Sequence, residues 1–211
     1  MKITFVPTHA KKIKEFLPVS KGKKVLDIGC HVGRWAKFFP EADYYGVDIS
    51  DSVKIAKKNG LKVRQHDITK GFPYKSNYFD ILFARDVIEH IADVNFFLSE
   101  CHRILKKGGY FVFTTPNVAS INTRLRLLFF GQTPTYISSL ENLGHVHIFS
   151  SGDLRFLLKK NKFKVDVIAG SYLYILPWLG EDDKSVFYKF VSGVATRFPT
   201  IAAGLIVRAR K

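Results

Sequence analysis

Acidic residues and glycines recur at the ends of short apolar runs, where they could hold a nucleotide-like ligand. The first run ends in Asp27-x-Gly29-x-x-x-Gly33. Glycine lets the backbone approach a ligand closely, and a turn that opens a helix presents backbone N–H groups to it. Such a turn serves several nucleotide cofactors, so it predicts the class of ligand but not its identity.

Two further carboxylates follow the next two apolar runs. Asp48 ends the second run, about 20 residues after the turn, where a carboxylate can accept hydrogen bonds from both ribose hydroxyls. It also argues against NADP, whose 2′-phosphate it would repel. Asp67 follows the third run and could accept a hydrogen bond from the exocyclic amine of adenine. The alternatives are a helix-capping role for Asp48 and a plain turn role for Asp67.

These residues need a parallel sheet that brings the carboxyl ends of its strands to one edge, and the hydrophobic pattern predicts an α/β fold of this kind. The predicted strands are residues 24–28, 44–48, 61–66, 79–84, 110–114, 163–169 and 203–210. The predicted helices are residues 33–39, 50–59, 94–105 and 153–161. The expected caps are Ser50 or Asp51 before the second helix, Gly108-Gly109 after the third, and Ser150 or Ser151 before the fourth.

The length of 211 residues fits one domain, which we place at 1–211. Two irregular stretches, at about 117–149 and 170–199, are too long for plain connections, and we predict that they are substrate-side insertions. No segment has the apolar length of a secretory signal or a membrane span, so we expect a cytoplasmic protein. Cys30 and Cys101 are expected to be free thiols.

The chain is strongly basic, with 33 Lys+Arg against 18 Asp+Glu and a net charge of +15. This charge favours anionic partners such as nucleic acid or acidic lipid. The alternative is a generally basic surface without a dedicated partner, because the basic residues are scattered along the chain.

Taken together, the motifs resemble those of class I S-adenosylmethionine-dependent methyltransferases. The matching segments, in that family's order, are residues 25–30 (Val-Leu-Asp-Ile-Gly-Cys), 46–50 (Gly-Val-Asp-Ile-Ser), Asp67, 79–82 (Phe-Asp-Ile-Leu) and 105–109 (Leu-Lys-Lys-Gly-Gly). The resemblance spans roughly residues 20–170. It implies a three-layer, Rossmann-like doubly wound sheet of about seven strands, mostly parallel with the last strand antiparallel.

The resemblance also implies S-adenosylmethionine as cofactor and S-adenosylhomocysteine as product. The methionine part would lie against the turn at 27–33, the ribose against Asp48, and the adenine against Asp67 and Ile68. The cofactor-binding residues implied in this way are Asp27, Gly29, Cys30, His31, Gly33, Asp48, Ile49, Asp67, Ile68 and Arg85.

One residue departs from the family pattern, since His31 stands where glycine is usual. Its side chain must point away from the cofactor or shape its carboxylate end, where it could donate a hydrogen bond. We interpret His31 as tolerated, because Gly29 and Gly33 remain. The alternative is a cofactor-binding protein that has lost catalysis.

Asp86-Val-Ile-Glu89-His90 resembles the Glu-x-x-Glu-His signature of quinone-type O-methyltransferases and of some RNA 2′-O-methyltransferases. If this segment is helical, its three polar side chains share one face and could bind a divalent cation, with His145 or His147 completing the site. The alternative is a hydrogen-bonded helix N-terminus. We favour the alternative and therefore do not expect a metal.

Methyl transfer from a sulfonium depends mainly on the positioning of donor and acceptor, whereas a hydroxyl acceptor also needs a base or a metal. His145 is the predicted catalytic residue, because it ends the insertion that should cap the cofactor cleft; His90 and His147 are the other candidates. The chain lacks Asn/Asp-Pro-Pro-Tyr/Phe after the fourth strand, which argues against methylation of exocyclic base amines.

Residues 120–136 mix arginines with large apolar side chains, and residues 172–179 add a second apolar run. Together they predict an apolar lid with a basic rim. Such a lid suits a lipid-like, quinone or other hydrophobic acceptor and peripheral contact with an anionic membrane surface. The alternative is that the two segments pack on each other and on the sheet. A sugar hydroxyl also stays open as an acceptor.

Three functions therefore compete. The leading hypothesis is methyl transfer to a hydroxyl oxygen of a small-molecule or lipid-linked acceptor. The second is an RNA methyltransferase that uses the basic surface, and the third is a cofactor-binding protein without catalysis. The sequence predicts neither the acceptor's identity nor the oligomeric state.

Overall fold

A computed structural model describes residues 7–132, 144–172 and 193–211, in which seven strands form one sheet. The strands are β1 (Lys24–Ile28), β2 (Asp43–Asp48), β3 (Lys62–Gln65), β4 (Phe79–Arg85), β5 (Leu105–Pro116), β6 (Lys164–Gly170) and β7 (Gly204–Arg210). Their order is β3-β2-β1-β4-β5-β7-β6, and among the described strands only β7 runs antiparallel to its neighbours. The predicted α/β doubly wound sheet is confirmed.

Helices cover both faces of this sheet. They are α1 (Pro7–Phe16), α2 (Val53–Lys58), α3 (Val94–Ile104), α4 (Ile121–Phe130) and α5 (Ser151–Lys160). One apolar cluster joins the sheet to α3 and α5 through Phe97 and Leu154, and a second joins the other face to α1 through Ile13. The two clusters make the three layers expected of this class, because each sheet face must bury its apolar side chains.

The segment between β1 and β2 differs from its prediction. Residues 33–39 form a series of turns that ends in a short 3-10 helix, Ala36–Phe38, and not an α-helix. The backbone bonds there span three residues, as from Ala36 N–H to the Gly33 carbonyl, which is 3-10 geometry. Trp35 and Phe39 are both buried against the sheet. Pro40 follows directly and has no N–H group for a further helical hydrogen bond.

Two predicted caps were wrong and one is confirmed. The residue before α2 is Ser52, and it makes no side-chain cap bond. The hydroxyl of Ser50, the predicted cap, instead donates to Asp48 Oδ1 at 2.7 Å. Ser150 caps α5 as predicted. Its hydroxyl accepts from the Asp153 N–H at 3.3 Å, and the Asp153 carboxylate accepts from the Ser150 N–H at 2.8 Å.

The glycine pair at 108–109 lies inside a strand and does not end a helix. The helix α3 ends at Ile104, and β5 begins at the next residue, Leu105. Gly108 adopts a φ of 74° and donates its N–H to the carbonyl of Lys211. The pair therefore bends the start of β5 toward the end of the chain.

Both predicted insertions lie partly outside the described residues, at 133–143 and 173–192, as does most of the lid segment 172–179. The division into one domain with two insertions therefore stays a prediction. In the first insertion the described part holds α4 and one isolated bridge between Asn117 and Phe149. Within the described ranges, no helix has the length and apolar character that crossing a membrane requires.

Candidate active site

The turn after β1 is tied to the end of β2 by its own backbone. The N–H groups of Gly29 and Cys30 both donate to the carbonyl of Val47, at 2.8 and 3.1 Å. The Gly33 N–H donates to the Cys30 carbonyl at 2.8 Å. These donors hold the turn in shape, so the expected row of free N–H groups at a helix N-terminus is not what this turn offers.

Two glycines of the turn are required by packing as well as by conformation. Gly29 has a φ of 74°, and a Cβ there would lie 2.7 Å from Val87 Cγ2. Gly33 has a φ of 77°, and a Cβ there would lie 2.2 Å from Leu61 Cδ1. Both φ values lie in the left-handed region that favours glycine. Gly29 thus places the turn directly against the segment that follows β4.

Asp48 lies at the end of β2 and receives three hydrogen bonds from the protein. Its Oδ2 accepts from the His31 N–H at 2.8 Å, and its Oδ1 accepts from the N–H and the hydroxyl of Ser50 at 2.8 and 2.7 Å. Each carboxylate oxygen has two lone pairs, so one acceptor position, on Oδ2, stays available for a ribose hydroxyl. These bonds fix the orientation of the Asp48 carboxylate, which does not cap a helix.

Asp27 is buried at the end of β1, where the Tyr44 hydroxyl donates to its Oδ2 at 2.5 Å. The pKa of Asp27 is raised to about 7, mainly by burial and in smaller part by the charge of Asp48, while the Tyr44 bond lowers it. Tyr44 and Ser50 were not predicted as site residues. The alternation within β2 would have placed Tyr44 on a buried face, but not beside Asp27.

Five other predicted cofactor residues lie around this turn. Asp67 accepts from the N–H and hydroxyl of Thr69 and so caps a short 3-10 helix, Ile68–Lys70. Ile49 follows Asp48 and is 67% exposed. Cys30 is buried, and its thiol faces Gly46, whose added Cβ would lie 2.7 Å from Sγ, so it offers a ligand backbone only. Arg85 ends β4 with its guanidinium 5.5 Å from the Trp35 ring.

His31 and Asp86 are the non-glycine residues of this region that adopt left-handed conformations, with φ of 49° and 52°. His31 is exposed, so its side chain leaves the turn toward solvent. After Asp86 the chain forms a 3-10 helix, Ile88–His90. The conditional prediction of a helix over 86–90, with three side chains on one face, is therefore wrong in its geometry.

Three polar side chains nevertheless converge after β4. Glu89, His90 and His145 each place one potential ligand atom so that all three atoms lie within 4.8 Å of one another. The rings of His90 and His145 lie 4.6 Å apart, edge to face. One carboxylate and two imidazoles are a donor set that suits a divalent transition metal.

The surrounding backbone fixes this cluster. The Glu89 carbonyl accepts from the N–H groups of Val146 and His147, at 2.9 and 3.1 Å, which holds the 145–147 segment against the 3-10 helix. His90 Nδ1 lies 2.9 Å from the Gly144 carbonyl. A neutral His90 that donates through Nδ1 keeps the lone pair of Nε2 for another partner, as in metal-binding histidines.

Electrostatics make Glu89 unusual. The side chain is buried, and neither carboxylate oxygen makes a hydrogen bond to the described residues. Burial, and then the charge of Asp86, raise the pKa of Glu89 to about 8. Burial and the neighbouring His90 lower the pKa of His145. A buried carboxylate without a partner is costly unless it is neutral or meets a cation.

Two predicted neighbours do not join the cluster. Asp86 Oδ1 accepts from the Thr114 hydroxyl at 2.7 Å, and Oδ2 lies 3.2 Å from Arg85 Nε. His147 Nε2 lies 3.0 Å from the Ala92 carbonyl. Both side chains thus have structural partners, which leaves Glu89, His90 and His145 as the candidate group.

Comparison with known proteins identifies the family of the chain. The sequence profile of the methyltransferase domain family matches residues 6–167. A ubiquinone biosynthesis O-methyltransferase of Bordetella avium is 29% identical over 128 residues, covering 54% of this chain and 53% of that protein. Phosphoethanolamine N-methyltransferase 3 of Arabidopsis thaliana is 31% identical over 114 residues, covering 49% and 23%. The chain spans about half the length of the curated relatives that head this comparison.

Solved structures share the fold over almost the whole chain. An S-adenosylmethionine-dependent methyltransferase of Mesorhizobium loti superposes with a TM-score of 0.70 at 17% identity, covering 97% of this chain and 98% of that one. A methyltransferase of Archaeoglobus fulgidus gives 0.67 at 20% identity, covering 96% and 92%. The profile match shows that the chain belongs to the methyltransferase domain family, and the solved structures show that it shares the Rossmann-like fold of S-adenosylmethionine-dependent methyltransferases.

Proposed function

We propose that this protein transfers the methyl group of S-adenosylmethionine to a hydroxyl oxygen of a small-molecule or lipid-like acceptor. The observation that carries the proposal is the convergence of Glu89, His90 and His145 beside the cofactor turn. A neutral amine attacks a sulfonium without assistance, whereas a hydroxyl must lose its proton during transfer. A group that only a hydroxyl acceptor requires therefore favours O-methylation.

In this proposal the cofactor lies across the ends of β1 and β2. Asp48 accepts a hydrogen bond from a ribose hydroxyl, and the exposed apolar side chain of Ile49 covers the adenine. Asp67 and Ile68 border the same ring from the end of β3. Asp27, charged when the cofactor's positive groups are near, lies beneath the methionine part. The ubiquinone biosynthesis O-methyltransferases among the relatives support a hydroxyl acceptor, whereas the plant phosphoethanolamine N-methyltransferase supports an amine acceptor.

We further propose that Glu89, His90 and His145 hold a divalent cation. The buried carboxylate of Glu89 fits this assignment, because the Thr115 hydroxyl and the charge of Arg85 offset its burial only in part. A cation bound there would lower the pKa of an acceptor hydroxyl. His145 thus keeps the catalytic place predicted from the sequence, but as a ligand, and His147 serves as a structural anchor.

The face of α4 suggests where a lipid-like acceptor would come from. Leu128, Phe129 and Phe130 are 74%, 69% and 71% exposed, and Arg124 lies on the same helix. The sequence from 101 to 140 contains no acidic residue. Large exposed apolar side chains with basic neighbours suit an anionic membrane surface. We therefore propose peripheral membrane contact through α4 of an otherwise cytoplasmic protein.

The decisive experiment is a tritiated methyl-transfer assay against cell extract separated into lipid, RNA, protein and small-molecule pools. We expect label in the lipid or small-molecule pool. Glu89→Gln and His145→Ala should lower the rate by about 100-fold or more, the contribution of a base or metal, with unchanged cofactor affinity. His147→Gln is the matched control and should retain most activity.

Addition of a chelator distinguishes two roles of His145, as a metal ligand or as a general base. If the cluster binds metal, EDTA abolishes transfer and one added divalent ion restores it. Transfer that resists EDTA but is lost in His145→Ala would assign His145 as a general base instead. Label confined to RNA would replace the proposal with the RNA hypothesis, and cofactor binding without transfer to any pool would support the non-catalytic one.

A further inference from the structure

A cavity of about 580 Å³ lies at the β3 edge of the sheet, away from the Glu89 cluster. It is bounded by the start of β3, by the end of α2 and by the loop that leads into β4. Its lining combines tyrosines with basic side chains and contains no acidic residue in the described part of the chain: Tyr45, Lys57, Leu61, Lys62, Val63, Arg64, Pro73, Tyr74, Lys75 and Tyr78. Its size is in the range of pockets that hold small ligands.

Cations and rings are paired throughout this cavity. Lys62 Nζ lies 5.3 Å from the centre of the Tyr45 ring, and the Arg64 guanidinium lies 5.7 Å from that of Tyr74. Lys75 Nζ lies 5.5 Å from the ring of Tyr78. Flat rings flanked by positive charge can stack on a nucleobase and neutralise its phosphate.

The positive charge here is poorly compensated within the protein. Lys62 and Arg64 alternate on β3 and therefore lie on the same face of the strand, where like charges repel. Lys62 pairs with Asp43 at 2.6 Å. Among the described residues no carboxylate lies within ion-pair distance of Lys57, Arg64 or Lys75. A pocket that gathers like charges in this way favours an anionic ligand.

The cavity is distinct from the cofactor cleft. Tyr45 and Lys62 are paired across β2 and β3 three register steps before Asp48 and Gln65. The cofactor residues lie at the carboxyl ends of these strands, whereas Tyr74 and Tyr78 come from the loop before β4. A ligand in this cavity would not overlap a ribose held by Asp48.

We propose that this cavity binds a nucleotide, with the base against Tyr74 and Tyr78 and the phosphate against Lys57, Arg64 and Lys75. The ligand is a single nucleotide or one unit of a single-stranded RNA, because both present the same ring and phosphate. The inference does not depend on the proposed hydroxyl acceptor or on the Glu89 cluster. The positive charge of the chain would then bind an anionic ligand at one defined site.

The test is titration calorimetry at about 50 mM salt with S-adenosylhomocysteine present in excess, so that the cofactor cleft is filled. The probes are uridine monophosphate, inorganic phosphate and an oligouridine of about eight nucleotides. Uridine monophosphate should bind at least about tenfold more tightly than phosphate, because only the nucleotide stacks on tyrosine. An oligouridine that binds much more tightly than the monomer identifies an RNA strand as the source, and equal affinities identify a free nucleotide.

Two neighbouring lysines of α2 provide a matched pair of variants. Lys57 lines the cavity and Lys58 does not, although both are exposed and equally charged. Lys57→Gln and Arg64→Gln should weaken nucleotide binding by about tenfold, the loss of a charge-assisted contact, whereas Lys58→Gln should change it less than about twofold. Tyr74→Leu should weaken nucleotide but not phosphate binding.

Three results would overturn the inference. They are the absence of nucleotide binding, equal affinity for phosphate and nucleotide, and equal losses in Lys57→Gln and Lys58→Gln. The last would reduce the effect to diffuse surface charge. None of these readouts involves methyl transfer, so failure here and failure of the proposed function are separable.

Discussion

The backbone N–H of His31 donates a 2.8 Å hydrogen bond to Asp48 Oδ2, and this bond links the turn after β1 to the carboxylate that ends β2. His31 makes it in a left-handed conformation, with a φ of 49°. The unusual histidine therefore helps to orient the predicted ribose-binding group through its backbone, while its side chain stays exposed.

Replacement of Asp48 tests the cofactor site. Asp48→Ala should weaken S-adenosylmethionine binding by about 10- to 100-fold, because it removes the charged acceptor of a ribose hydroxyl. Calorimetric titration measures the effect. Asp51→Ala is the control, since Asp51 lies in the same turn, exposed and paired with Lys54, and its affinity should stay within about twofold. Unchanged affinity in Asp48→Ala would mean that the ribose lies elsewhere.

The conformation of His31 predicts a gain of stability on substitution. His31→Gly should raise the free energy of unfolding by about 1 kcal/mol, because a left-handed φ strains any residue with a Cβ. Glu41→Gly, at a φ of 57°, should change stability in the same direction. Lys57→Gly within α2 should instead lower it by about 1 kcal/mol. Urea denaturation gives all three values, and a destabilised His31→Gly would show that the side chain makes a contact of its own.

The buried carboxyl of Asp27 predicts a pH dependence of stability. Its pKa is about 7 in the folded protein and 3.8 as the unperturbed reference, so the folded state binds more protons between these values. Stability should be greatest below about pH 4 with respect to this group and fall with rising pH until about 7, by at most about 1.4 kcal/mol per pH unit.

Asp27→Asn removes this titration, and comparison of urea midpoints from pH 5 to 7 isolates it. The variant should lose the falling component that the wild-type protein shows. Asp93→Asn is a useful comparison, because it makes the same chemical change at the surface cap of α3. Identical slopes in wild type and Asp27→Asn would place the ionisation of Asp27 outside this range.

The contact between the turn and the segment after β4 can be isolated by a pair of glycine variants. A Cβ added at Gly60 would have no atom within 4 Å, so Gly60→Ala should lower the free energy of unfolding only by the strain of a positive φ, about 1–2 kcal/mol. Gly29→Ala should cost at least about 1 kcal/mol more, because its Cβ collides with Val87. Val87→Ala in the Gly29→Ala background should recover part of that difference. Additive effects in this double-mutant cycle would contradict the contact.

Membrane contact through α4 predicts selective vesicle binding. The protein should sediment with phosphatidylcholine vesicles that contain phosphatidylglycerol, and much less with phosphatidylcholine alone. Phe129→Ser with Phe130→Ser should weaken this binding by about tenfold or more, because two large apolar anchors are lost. Phe156→Ser is the control, since Phe156 is 68% exposed but lies on α5. Equal losses in the control would argue against a surface specific to α4.

Local sequence patterns were sufficient to predict the sheet and the order of the motifs along the chain. Apolar runs predicted all seven strands: β1 has its predicted bounds, β2, β3, β4, β6 and β7 differ by one residue at one or both ends, and β5 begins five residues earlier and ends two residues later than predicted. Strand formation follows from side-chain patterns a few residues long, and acidic residues at strand ends fall at one edge of any parallel sheet. Asp27 and Asp48 could therefore be placed from the sequence alone.

The tertiary structure decided the features that depend on residues distant in the chain. Residues 33–39 form turns and a short 3-10 helix, with Trp35 and Phe39 packed on the sheet, where the sequence pattern predicted a helix. The hydrogen bonds from residues 146 and 147 to Glu89 brought His145 to His90. The exposure of α4 and the cavity beside β3 likewise arise only once separate elements pack together, because periodicity along one segment does not specify what covers its faces.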